Sequence, residues 1–70
     1  MKRYKVIGKI LLTFLTPQDS QSFMYGEGTI IEANEHTIWL IGKDGSRKES
    51  IEMISALHFW LDSGAIEEIA

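Results

Sequence analysis

Cysteine is absent from the 70-residue chain, so no disulfide, thiolate zinc site or cysteine-held iron–sulfur cluster is possible. Histidine occurs only at His36 and His58. Two imidazoles far apart in sequence, with no His-Glu-x-x-His pattern, fall short of the three or four converging ligands that a metal requires. Long apolar runs are also missing: the longest is the four-residue stretch Ile38-Trp39-Leu40-Ile41, whereas a membrane-spanning helix needs about 20 such residues. Lys2, Arg3 and Lys5 precede an apolar segment as they would in a secretory leader. Lys9 interrupts that segment, however, and no small-x-small cleavage site follows. The segment therefore reads as a strand, no membrane contact is expected, and the expected location is cytoplasmic.

Catalytic and cofactor motifs are lacking too. There is no Gly-x-Ser-x-Gly elbow, and Ser20 and Ser22 have no histidine near them in sequence. Glu67 and Glu68 would point to opposite sides of a strand. Gly26-Glu27-Gly28 is too short for a dinucleotide fingerprint and places an acid where phosphate would approach. The expectation is a non-enzyme with no cofactor and no metal.

What the chain does contain is enough apolar residue (44%) and balanced charge (24%, net −3) for one folded domain over residues 1–70. At this length only about 60% of the unfolded surface can be buried, near the lower limit for independent folding. Residues 4–15 alternate with period two. Tyr4, Val6, Ile10, Leu12 and Phe14 form a wholly apolar side and Lys5, Ile7, Lys9, Leu11, Thr13 and Leu15 a mixed one. This predicts one long strand bent near Gly8. Pro17 ends it, and the polar stretch 16–22 reads as a flexible loop. Residues 23–33 form a second strand weakened by Gly26 and Gly28. Asn34-Glu35 marks a turn into a third strand around Ile38–Ile41, and Asp44-Gly45 a hairpin with both central residues at positive φ. The short charged stretch 46–50 returns from it.

In residues 51–61, Met53, Ile54, Leu57, Trp60 and Leu61 gather on one side at helical spacing, with Ser50 as the cap and Gly64 as the stop. A short terminal strand follows. The predicted fold is α+β: a small curled antiparallel sheet of three to five strands with one C-terminal helix. The alternative makes 48–53 and 56–61 strands of an all-β SH3-like or Sm-like small barrel. The predicted core is Val6, Ile10, Leu12, Phe14, Ile31, Ile38, Leu40, Ile54, Leu57 and Leu61, with Trp39 or Trp60 partly buried.

Function is expected to reside on the surface. On a helix over 51–61, Phe59 projects away from the apolar stripe beside Glu52. Together with Trp39 these are the candidate protein-contact residues, because exposed aromatics mark interaction surfaces. Basic residues fall in two clusters, Lys2/Arg3/Lys5/Lys9 and Lys43/Arg47/Lys48, while the chain from Glu49 onward is only acidic. Lys43, Arg47 and Lys48 are the candidates for an anionic partner. The principal reading is a small regulator, inhibitor or adaptor that binds another protein or itself as a homodimer. The alternative is a nucleic-acid-binding β domain using the two basic clusters.

Overall fold

The computed structural model describes residues 1–69. Strands β1 (Lys2–Val6), β4 (Ile30–Ala33), β5 (Ile38–Ile41), β6 (Arg47–Glu49) and β7 (Ile66–Ile69) form a five-stranded antiparallel sheet in the order β6-β5-β4-β1-β7. Strands β2 (Ile10–Leu15) and β3 (Ser20–Tyr25) form a separate hairpin, and α1 spans Ile54–Ser63. The fold is α+β, and the sheets do not close into a barrel.

The predicted long first strand is two strands in two sheets. Its alternation nevertheless survives the break: Tyr4, Val6, Ile10, Leu12 and Phe14 are all buried. The bend between them is pinned by the carbonyl of Ala65, which accepts from the backbone N–H of Ile7 (2.7 Å) and of Gly8 (3.1 Å). Gly8 does not adopt positive φ, so hydrogen bonding to a distant residue, rather than glycine's dihedral freedom, turns the chain. The second predicted strand also divides. Gly28 takes φ 92°, a conformation that costs a residue with a Cβ roughly 1–2 kcal/mol, and its N–H donates to the Val6 carbonyl at 3.0 Å. Residues 23–25 consequently belong to the hairpin, and 30–33 to the main sheet.

The loop expected over 16–22 contracts to a turn over 16–19, because Thr16 organises it. Its N–H donates to the Asp19 carbonyl at 2.6 Å, and its hydroxyl accepts from the Asp19 N–H at 2.9 Å. Residues 20–22 are thereby delivered into β3. The Asn34 turn forms as expected, with Asn34 Oδ1 accepting from the N–H groups of His36 and Thr37, each at 2.7 Å. The Asp44-Gly45 hairpin also forms, but only Gly45 has positive φ (86°). Gly45 N–H donates to the Gly42 carbonyl and Gly42 N–H to the Ser46 carbonyl, which makes a turn followed by a glycine bulge. The Ser46 hydroxyl and N–H bond Asp44 and hold its carboxyl below the ordinary carboxylate range. That support is present above the ordinary value and is lost as pH falls through the lowered one.

The helix begins three residues later than the sequence suggests because Ser50 is occupied elsewhere. Its N–H (2.9 Å) and its hydroxyl (3.0 Å) both donate to the Ile38 carbonyl, and the cap position falls to Met53, which makes no side-chain cap bond. At the other end Gly64 stops the helix at φ 78°. Gly64 N–H donates to Leu61 and Ala65 N–H to Trp60, the paired bonds of a Schellman ending. Gly64→Ala is expected to cost about 1–2 kcal/mol, read as a lower urea midpoint with unchanged slope. No loss would show that the left-handed residue is not needed.

The helix and the hairpin together cover the inner face of the main sheet. Leu57 and Trp60 from α1 join Ile10, Leu12 and Phe14 from β2 and Tyr4, Val6, Ile31, Ala33, Ile38 and Ile66 from the sheet in one core. Leu61, expected in that core, lies at the helix margin and is exposed, while Trp60 is buried. The core-facing row runs Ile54, Leu57, Trp60 at spacing three, with Leu57 and Trp60 buried, which leaves Leu61 on its edge. Leu40 and Ile54 pack against the core only partly buried.

Candidate interaction surface

Ion pairs cross the outer face of the main sheet. Glu32, opposite Arg3 on one side and Trp39 on the other, is largely buried and takes Arg3 Nε at 2.6 Å and Arg47 Nε at 3.5 Å. Arg47 also lies over the Trp39 ring, 4.3 Å from its centroid, a cation–π contact. Lys5 pairs with Glu67 on this face at 3.8 Å, whereas Lys2 and Glu68, 3.7 Å apart, lie on the side of Tyr4. The two basic clusters do meet here, through Arg3 and Arg47, but with a carboxylate between them.

The three residues proposed for an anionic partner do not converge. Arg47 and Lys48 are neighbours on a strand and point to opposite faces. Lys48 turns inward, its Nζ 4.5 Å from the Phe14 ring centroid, and Lys43 sits exposed at the hairpin turn. The three protein-contact candidates are also dispersed. Trp39 is half-buried beneath Arg47. Phe59 is 69% exposed on the solvent side of α1, a lone aromatic whose nearest helix neighbours are Ser55, Ala56, Asp62 and Ser63. Glu52 is half-buried and bonded: its Oε1 accepts from the backbone N–H of Thr13. Beside it the Ile51 N–H donates to the Thr13 carbonyl at 2.9 Å. The 51–52 segment thus acts as a short surrogate strand on the free edge of β2.

His36 and His58 are both exposed and line one open groove of about 650 Å³ between the Asn34 turn and α1, with Tyr4, Leu57 and Glu35. Among the described residues no three His, Asp or Glu side chains are placed to share a metal ion, and no helix is long and apolar enough to cross a membrane.

The largest concentration of uncovered apolar side chain lies on the β2–β3 hairpin. Directly opposed residues of an antiparallel pair project to the same side, so the register Leu11↔Met24, Thr13↔Ser22, Leu15↔Ser20 sets Leu11, Thr13, Leu15 and Met24 on one face. The other face, with Ile10, Leu12 and Phe14, is the core face. On the outer one, Leu11 is 46%, Met24 61% and Leu15 72% exposed. Thr13 and Ser22 join hydroxyls at 2.8 Å in its centre, and exposed Ile51 is brought to the same strand edge by its bond to Thr13. The mixed side of the first strand signalled part of this surface. Met24 was not legible as part of it, because its strand partner is decided by the turn at 16–19. Comparison with protein-family models, curated proteins and solved structures returns no match.

Proposed function

We propose that this chain is a non-catalytic interaction module, a small regulator, inhibitor or adaptor that binds protein through the outer face of the β2–β3 hairpin. The observation that carries this reading is the exposure of Leu11, Met24 and Leu15 on one face of a two-stranded ribbon, Leu11 beside Met24 and Leu15 beyond the Thr13–Ser22 pair. Single exposed apolar residues are ordinary, whereas a contiguous group marks a contact surface. A nucleic-acid partner has less support: among the described residues Lys2, Arg3, Lys5 and Arg47 are each paired with a carboxylate, and Lys48, though exposed, lies over the Phe14 ring.

Affinity capture from the source cell tests the reading. The double variant Leu11→Asp/Met24→Asp is expected to keep the wild-type far-UV circular dichroism and to lose the proteins that the wild type retains. Phe59→Asp, on the far side of α1, is expected to retain them. Equal recovery on the wild type and the double variant would remove the hairpin face from consideration.

A further inference from the structure

The edges of the two sheets are treated differently. The main sheet ends at β6, whose three residues Arg47, Lys48 and Glu49 are all charged, and at β7, which carries Glu67 and Glu68. Short length and charge are the usual protections against edge-to-edge pairing. The free edge of β2 is capped at its middle by Ile51 and Glu52. Strand β3 has none of these devices. It is six residues long, Ser-Gln-Ser-Phe-Met-Tyr, with no charge and no proline, and among the described residues it pairs only with β2.

Its outward backbone groups can be identified. Thr13 directs both its N–H and its carbonyl away from β3, towards Glu52 and Ile51. The Thr13↔Ser22 pair is therefore a non-hydrogen-bonded one, and by the alternation of antiparallel ladders so are Leu11↔Met24 and Leu15↔Ser20. Ser20, Ser22 and Met24 consequently present their backbone groups to the outside. The Ser20 N–H is taken locally by Asp19 Oδ1 at 2.8 Å, which leaves the N–H groups of Ser22 and Met24 and the carbonyls of all three.

We infer that β3 pairs antiparallel with β3 of a second copy of this chain, about a two-fold axis at Ser22. The inference rests on the reading of the hairpin as the interaction element; it assigns the β3 edge to a second copy and leaves the outer face of the ribbon open. In this register the two Ser22 residues exchange a pair of hydrogen bonds, and each Met24 N–H donates to the other copy's Ser20 carbonyl. No existing bond is displaced. Small serine side chains meet at the axis and extend the Thr13–Ser22 hydroxyl pair into a ladder across both copies. Gln21 falls opposite Phe23, and no like charges face each other along the strand. The same surface of each copy serves both sides, as a closed two-fold dimer requires, and the result is a four-stranded β2-β3-β3-β2 sheet with Leu11, Leu15 and Met24 of both copies on one face.

Charge introduced at the axis provides the test. Wild-type protein is expected to shift from monomer to dimer in sedimentation as concentration rises. Ser22→Lys and Ser22→Glu should each fold, since Ser22 is exposed, and each should associate at least about tenfold more weakly, because like charges meet at the axis. Their equimolar mixture should restore the dimer. Amide exchange on the wild type supplies a second readout: the Ser22 and Met24 amides should slow with concentration, while those of Gln21, Phe23 and Tyr25, already turned towards β2, should not change. A wild type that remains monomeric at about 0.5 mM, a mixture no tighter than either variant, or a dimer in which Ser22 and Met24 exchange freely would overturn the inference. If that happens while the double hairpin variant still loses its captured protein, only the second copy is rejected and the contact surface stands.

Discussion

Phe14→Ala is expected to lower unfolding free energy by about 3–5 kcal/mol, a large share of what a chain of this length possesses at roughly 0.05–0.15 kcal/mol per residue. Phe14 is fully buried where the hairpin meets the main sheet. Phe23 (ring centroids 6.4 Å, tilted) and Tyr25 (6.4 Å, edge-on) surround it from β3, and Lys48 lies over its ring from β6. Truncation opens a void beside these three groups, and it also removes the aromatic pairing, itself about 0.5–1.5 kcal/mol for each pair. Phe14→Leu keeps most of the volume and is expected to cost about 1–2 kcal/mol. Urea unfolding followed by fluorescence of Trp39 and Trp60 measures both. A loss below about 1 kcal/mol for the alanine variant would show that the hairpin is not held to the sheet through this ring.

Glu52→Ala is expected to cost about 1–3 kcal/mol, the penalty for stripping a part-buried donor of its acceptor. The donor is the Thr13 N–H in the middle of β2. Glu52→Gln retains an oxygen acceptor but not the charge. Bonds to charged groups contribute about 1.5–3 kcal/mol against about 0.5–1.5 for neutral ones, so the amide should recover part of the loss. The Thr13 amide should exchange faster in Glu52→Ala than in the wild type, with helix content unaltered because α1 begins two residues further on. Equal exchange in both proteins would mean that Glu52 is a surface residue after all. Glu52 thus brackets the middle of β2, on the edge away from β3.

Much of the molecule follows from residue order alone. Apolar residues at every second position place Tyr4, Val6, Ile10, Leu12 and Phe14 inside, and they remain inside across a bend that transfers the chain from one sheet to another. Asn34, Gly45 and Gly64 impose their turns through bonds and dihedral preferences that reach only two or three residues along the chain. The spacing of Ile54, Leu57 and Trp60 makes the helix. Alternation states which side of a strand is buried, but it carries no information about which strand lies at each edge. That was decided by contacts between residues far apart in the chain: Ala65 catching Ile7 and Gly8, Ser50 bonding Ile38 instead of capping the helix, Glu32 holding Arg3 and Arg47, and Glu52 reaching Thr13. These bonds form only after the core has gathered their partners, and for that reason the covered edge of β2 and the open edge of β3 belong to the tertiary structure alone.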